Sequence, residues 1–150
     1  MTVDIVKFFQ AFVRQMVSVG GVNLPRTIST SLGAKLGQTY REKGVTDWKQ
    51  ALTSMIQGMG GSVEFVEEGE GAGGARVVNA KYFSDFCPIG GAPSRNKTSE
   101  RASLVVESIC RPYVTGFLKG YFGDEKLAIS FPRCIVKDGG NSCQLCLEVD

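Results

Sequence analysis

The chemistry that this sequence could perform depends on its cysteines. Cys134, Cys143 and Cys146 lie in the C-terminal stretch "FPRCIVKDGGNSCQLCLEVD", on the two sides of a Gly-Gly turn, and the chain contains no histidine. Without histidine there is no Ser-His or Cys-His nucleophile pair, and a metal ion would need thiolate or carboxylate ligands. The cluster therefore indicates thiolate chemistry, and acid–base catalysis has little support.

A fourth thiol, Cys110, precedes Pro112 at the predicted start of a helix, where backbone amides favour the thiolate form. Four thiolates suit a structural Zn²⁺ or, with the same ligands, an iron-sulfur cluster. Cys143 and Cys146 are three residues apart, so on an unbroken strand they would face opposite sides of the sheet. Cys87 is then the alternative fourth ligand to Cys146. Free cysteines also often fill space in a core, so inert thiols remain the competing interpretation.

Three helices are predicted to precede the strands. The first spans Asp4–Val19 and stops at Gly20-Gly21, and the second runs from a cap at Asn23 to Gly44. In the second helix, Gly33 and Gly37 predict close approach of another backbone. The apolar stripe assigned to that helix comprises Ile28, Leu32, Leu36 and Tyr40. The third helix, capped by Thr46 or Asp47, is expected to point Trp48, Ala51, Leu52, Met55, Ile56 and Met59 inward.

The remaining pattern predicts a hairpin, a broken helix and a second hairpin. The segments "SVEFVEE" and "ARVVNAKYF" alternate with period two, as do "KLAISFPRCIV" and "SCQLCLEV". Between them lie an irregular loop, "CPIGGAPSRNK", and a helix from Ser99 that Pro112 breaks or kinks. Beyond that point, Gly116 and Gly120 again allow a neighbour to approach. This order predicts one α+β domain over residues 1–150, with helices packed against an antiparallel sheet.

Composition narrows the class of protein further. Seventeen basic and fifteen acidic residues are scattered along the chain, which does not favour a nucleic-acid or membrane surface. No apolar run approaches the roughly 20 residues that span a bilayer, and no signal peptide is evident. We therefore expect a cytoplasmic protein with neither nucleic acid nor membrane as its partner.

The C-terminal stretch "ICRPYVTGFLKGYFGDEKLAISFPRCIVKDGGNSCQLCLEV" resembles the 4-vinyl reductase (hydrocarbon-binding) domain family. The matching features are Cys110 entering a helix with the aromatic-glycine pattern "GFLKGYFG", a strand ending in Cys134, the turn "KDGGN", and Cys143 opening the last strand. The resemblance implies the α+β fold of small trafficking-complex (TRAPP-like) subunits, usually dimeric, with a closed pocket for a hydrophobic small molecule. It also implies zinc on Cys110, Cys134 and Cys143, with a glutamate where this chain has Phe131.

From these observations we expect a non-catalytic domain that binds a hydrocarbon, aromatic or tetrapyrrole-like molecule and acts as a sensor or carrier. A structural zinc would be held by Cys110, Cys134, Cys143 and Cys146, or by Cys87 in place of Cys146. The aromatic residues proposed to line the pocket are Trp48, Phe86, Tyr113 and Phe117, although aromatics at helical spacing also form ordinary core. Two alternatives remain open: an iron-sulfur or tetrapyrrole-related redox protein, and a scaffold that dimerises through its N-terminal helices and binds no small ligand.

Overall fold

The computed structural model describes residues 3–58, 61–67, 76–82, 104, 106–123, 127–134 and 142–149. Its elements are α1 (Val3–Gly20), α2 (Asn23–Glu42), α3 (Trp48–Gly58), β1 (Gly61–Glu67), β2 (Arg76–Tyr82), a π-helical turn (Val106–Cys110), α4 (Arg111–Phe122), β3 (Leu127–Arg133) and β4 (Ser142–Val149). The predicted α+β class is confirmed. The predicted "CPIGGAPSRNK" loop, the turn at 138–141 and Met59 lie outside the described residues.

The four strands form one antiparallel sheet in the order β1-β2-β4-β3. The two predicted hairpins are present, and β4 inserts beside β2 so that β3 lies at an edge. Side chains alternate between two faces. One face carries the buried Val78, Ala80, Leu145 and Leu147, whereas the other carries exposed polar residues such as Glu64 and Lys81.

The core lies between this apolar face and two helices. Ala51, Leu52, Met55 and Ile56 of α3 are buried there, as predicted. From α4 come Phe117, Leu118 and Tyr121. Phe117, Leu52 and Leu118 are fully buried, and each large apolar side chain removed from water contributes about 1.5–3 kcal/mol. The core therefore fixes α3 and α4 on the sheet.

Helix α2 packs on the far side of α4 through a seam of glycines. A Cβ atom on Gly33 would collide with the carbonyl oxygen of Tyr113, and one on Gly37 would lie 2.7 Å from the amide nitrogen of Tyr121. Gly116 meets the backbone of Thr30 in the same way, and Gly120 that of Ala34. The close approach predicted separately for both glycine pairs is confirmed, and the two pairs face each other.

The stripe predicted to be the buried face of α2 is wrong in part. Ile28 and Leu32 are 40% and 54% exposed, while Ser29 and Gly33 are buried. The helix turns its small residues to α4 because only they allow the two backbones to approach. The predicted cap is also wrong: α2 begins at Asn23, and Val22 at the N-cap position makes no side-chain cap.

Helix α1 leaves most of its described side chains uncovered. It ends at Gly20, as predicted, and Val13 is its only fully buried side chain among those described. Phe8 and Phe12 stack on each other with ring centroids 6.3 Å apart, yet they are 71% and 54% exposed. With Ile28 and Leu32 they form the outward apolar face, the name used below for these four residues. Within the described residues, no helix has the length and apolar character needed to cross a membrane.

Candidate functional site

The start of α3 forms an aromatic cavity with the C-terminal ends of α2 and α4. Its volume is about 380 Å³, and its lining residues are Arg41, Val45, Thr46, Trp48, Tyr121 and Phe122. Ligand cavities in proteins begin near this size, at about 300 Å³. We call this space the Trp48 cavity.

Ring contacts hold the wall of the Trp48 cavity in place. Trp48 meets Phe65 of β1 edge to face, with centroids 5.6 Å apart, and lies 6.3 Å from the ring of Phe122. Tyr121 and Phe122 are adjacent on α4 and their rings are 5.3 Å apart. Helix α3 places Trp48 here because Asp47 caps it: its carboxylate accepts the N–H of Lys49 at 3.0 Å. The wall therefore joins α3, α4 and the sheet.

The polar groups of the cavity have defined roles. The hydroxyl of Tyr121 donates to the carbonyl oxygen of Val45 at 2.6 Å. Burial raises the pKa of Tyr121; the charge of Arg41 opposes this in part, and the charge of Asp47 adds a smaller increase. The guanidinium of Arg41 donates to the carbonyl oxygen of Tyr121 at 2.7 Å and lies 5.9 Å from its ring centroid. Tyr121 thus stays neutral at physiological pH, and the charge at the cavity comes from Arg41.

The structure separates the four residues predicted to line a pocket. Trp48 lines the cavity. Phe117 lies fully in the core, where its ring meets Tyr40 edge to face at 5.8 Å. Tyr113 is partly buried against the core, and burial together with nearby Tyr40 raises its pKa. Phe86 lies outside the described residues.

Five of the six lining residues were not singled out from the sequence as ligand contacts: Arg41, Val45, Thr46, Tyr121 and Phe122. Tyr121 follows Tyr113 and Phe117 at helical spacing, so this repeat of aromatic residues could have predicted Tyr121 as a pocket residue. Arg41 has no such signal, because its position follows only from the packing of α2 on α4 across the glycine seam.

The strand cysteines come together through a β-bulge. Ser130 pairs with Cys146, but three residues later Arg133 pairs with Gln144, so β3 contains one extra residue. Continued by one position, this register brings Cys134 opposite Cys143. Cys134 is buried, and Cys143 lies on the same face as Leu145 and Leu147. The bulge therefore turns Cys134 towards the face that carries Cys143.

Cys110 precedes α4, as predicted, but it is the last residue of the π-helical turn that runs directly into α4, with helical dihedrals (φ −60°, ψ −58°) and no side-chain cap. The guanidinium of the next residue, Arg111, lies 5.6 Å from the ring centroid of Phe131 on β3, which brings the start of α4 to the strand that directly precedes Cys134. Cys146 points to the opposite face from Cys143, since β4 is unbroken from Ser142 to Val149.

Metal-ion donors do not converge in the described part of the chain. No group of three or more Cys, Asp or Glu side chains there is arranged to hold a metal ion. Phe131, at the position of the glutamate implied by the resemblance, instead contacts Arg111. Cys87 lies outside the described residues. The described residues by themselves do not fit a zinc ion.

A second, more open groove of about 640 Å³ runs between α4 and β3. It is lined by Arg111, Thr115, Ile129, Ser130, Phe131 and Pro132. Arg111 donates to Glu107 at 2.8 Å, so its charge is already partly neutralised. The Trp48 cavity is the more enclosed of the two and has the aromatic wall.

Comparison with solved structures finds the crystal structure of the phenol-responsive sensory domain of the transcription activator PoxR with phenol. The match has a TM-score of 0.57 at 9% sequence identity, and it covers 96% of this chain and 74% of that chain. No protein-family model matches the sequence, and no curated protein matches it. The chain therefore shares the fold of this sensory domain.

Proposed function

We propose that this protein is a non-catalytic binding domain for a small aromatic molecule, acting as a sensor or carrier, and that it belongs to the 4-vinyl reductase domain family. The observation that carries the binding proposal is the Trp48 cavity, in which three aromatic residues surround a space of suitable volume. The fold adds support, since the PoxR sensory domain of the same fold was crystallised with phenol.

Ring stacking supplies the affinity in this proposal. Aromatic pairs add about 0.5–1.5 kcal/mol beyond the area that they bury. Trp48, Tyr121 and Phe122 come from two helices fixed by the core, so little is lost in ordering the wall when a ligand binds. The hydroxyl of Tyr121 already donates to Val45 and its pKa is raised, so it is poorly placed to act as a base.

Trp48 is the only tryptophan of the chain, so its fluorescence reports from the cavity itself. Titration with benzamide, benzoate and their naphthalene counterparts should give a saturable change for at least one compound. Phe122→Ala should weaken that binding about ten-fold, by loss of ring contact and burial. The matched control is Phe8→Ala on the exposed face of α1, which should leave it unchanged. Absence of saturable binding by all four compounds would contradict the proposal.

We further propose that the cysteines hold a structural zinc ion. The bulge that aligns Cys134 with Cys143, and the position of Cys110 at the start of α4, support it. Because no three described donors lie together, a four-coordinate zinc needs at least two ligands besides the Cys134–Cys143 pair. Cys87 is one candidate, and Cys110 would have to move towards the pair to be the other. Reduced protein should contain one zinc per chain, and Cys134→Ser and Cys143→Ser should each lose it, whereas Cys146→Ser should not. Metal-free wild type, with a melting temperature unchanged by chelator, would exclude zinc, and a coloured iron-containing preparation would favour the iron-sulfur alternative.

The outward apolar face supports a homodimer. Phe8, Phe12, Ile28 and Leu32 are each at least 40% exposed, and apolar side chains exposed on neighbouring helices are candidates for an interaction site. A second copy that contributes the same face would cover it on both chains. Native mass spectrometry reports the oligomeric state and bound small molecules together. A dimer that binds no aromatic compound would favour the scaffold alternative over the sensor.

A further inference from the structure

The Trp48 cavity contains one charged side chain among its described lining residues, and that charge is positive. Arg41 stands at the edge of the aromatic wall, with the hydroxyl of Thr46 as the other polar side chain besides Tyr121. No carboxylate appears among these lining residues. Glu42 and Asp47 adjoin lining residues in sequence but do not line the cavity themselves; the carboxylate of Asp47 accepts the N–H of Lys49, and its charge also acts on Tyr121.

Arg41 is exposed, and one hydrogen bond orients its guanidinium at the cavity. One N–H donates to the carbonyl oxygen of Tyr121 at 2.7 Å, and the same guanidinium lies over the Tyr121 ring. A guanidinium has five N–H donors in a rigid plane, and this bond uses one of them. The fork of Arg suits a planar carboxylate.

A second cation lies on the other side of the aromatic wall. Nζ of Lys49 is 6.0 Å from the ring centroid of Trp48 and 5.6 Å from that of Phe65. Trp48 also begins α3, and the N-terminal end of a helix carries a partial positive charge. The carboxylate of Asp47 offsets the charge at this helix end, so the positive charge that a ligand in the cavity meets directly is that of Arg41.

We infer that the ligand of the Trp48 cavity is an aromatic carboxylate, whose ring packs on Trp48 and Phe122 and whose carboxylate pairs with Arg41. This inference rests on the proposed binding function and adds the charge of the ligand. A neutral aromatic hydrocarbon could gain only a cation–π contact from Arg41, whereas a carboxylate can form a charge-assisted hydrogen bond with its guanidinium.

The test compares two pairs of compounds that share a ring and differ in charge: benzoate with benzamide, and naphthoate with naphthamide. Affinities are measured by Trp48 fluorescence. In each pair the carboxylate should bind about ten-fold more tightly, since a charge-assisted hydrogen bond contributes more than a neutral one. Added salt should reduce the preference.

Variants assign that preference to Arg41. Arg41→Gln should abolish the preference, so that each carboxylate binds no more tightly than its amide, whatever the change in amide affinity itself. Arg41→Lys keeps the charge without the planar fork and should retain part of the preference, which keeps the test usable if the Gln variant folds poorly. The matched control, Lys35→Gln, removes one positive charge from an exposed position of the same helix and should change nothing.

The outcomes separate the two proposals. If amide and carboxylate bind equally well to the wild type, or if the preference survives in Arg41→Gln, the carboxylate inference is wrong and the binding function stands. If none of the four compounds binds, both fail together.

Discussion

The two faces of α2 differ in side-chain size. A helix usually buries its large apolar side chains, but α2 buries its small residues instead. The face built from Ser29, Gly33 and Gly37 is buried, whereas the face with Ile28 and Leu32 is substantially exposed. The glycine seam buries backbone against backbone, so it depends on the absence of side chains. The outward apolar face depends on large side chains that nothing among the described residues covers fully. The apolar period of the sequence therefore predicts a helix, but it does not predict which face of that helix is buried.

The largest effect is expected at the glycine seam. Gly37→Ala should destabilise the protein by more than about 3 kcal/mol, because the new methyl group collides with the rigid backbone of Phe117 and Tyr121. The same substitution at Gly58, where a Cβ meets nothing within 4 Å, should be neutral or stabilising by up to about 1 kcal/mol. Urea denaturation measures both. If both substitutions changed the free energy of unfolding equally, the close backbone contact at Gly37 would not be what stabilises the packing of α2 on α4.

Phe117→Ala tests whether α4 is anchored on its sheet side as firmly as on its α2 side. We expect a loss of about 3–5 kcal/mol in the free energy of unfolding, because Phe117 is fully buried and the cavity left behind collapses only partly. Phe12→Ala removes the same atoms from a half-exposed position and should cost far less in the monomer. If Phe117→Ala changed the free energy of unfolding only slightly but abolished ligand binding, Phe117 would be a pocket residue, as the sequence predicted.

Substitutions on the outward apolar face should act on association rather than on folding. Ile28→Ser with Leu32→Ser is expected to change the unfolding free energy of the monomer by no more than about 1 kcal/mol, since both side chains are substantially exposed. The same variant should weaken the proposed dimer at least about ten-fold, measured by sedimentation velocity. If the wild type sediments as a monomer at all accessible concentrations, this face has another role.

The smallest effect is a loss of stability in alkali. Burial raises the folded-state pKa of Tyr121 above its ordinary value of 10.0, so the folded protein keeps the proton at a pH where the unfolded chain has lost it. The stabilising contribution is therefore complete below pH 10 and is lost as pH rises through the folded-state pKa. Tyr121→Phe should flatten the alkaline part of the stability curve measured by urea denaturation. It should also cost about 1 kcal/mol at neutral pH for the lost bond to Val45. An unchanged alkaline slope would mean that Tyr113 dominates it.

Local patterns predicted most of the elements. The spacing of Ala51, Leu52, Met55 and Ile56 gave the buried face of α3 correctly, because that helix meets the sheet directly and its large side chains fill the core. For α2 the same reasoning assigned Ile28 and Leu32 to the interior. It failed because α2 packs on another helix through glycines, and only the pairing of Gly33 and Gly37 with Gly116 and Gly120 decides which face is covered.

The sequence by itself determined the α+β order, the helix ends at glycines and the two hairpins, since these follow from local backbone preferences. It also determined that Cys143 and Cys146 point to opposite faces, because side chains alternate with a two-residue period along a strand. Only the tertiary structure decided that Arg41 contacts Tyr121 in the cavity that Trp48 also lines, that a bulge turns Cys134 towards the face of Cys143, and that Phe117 belongs to the core. Each of these depends on a register or a helix crossing between distant segments, and such contacts are set by the packing of the whole domain.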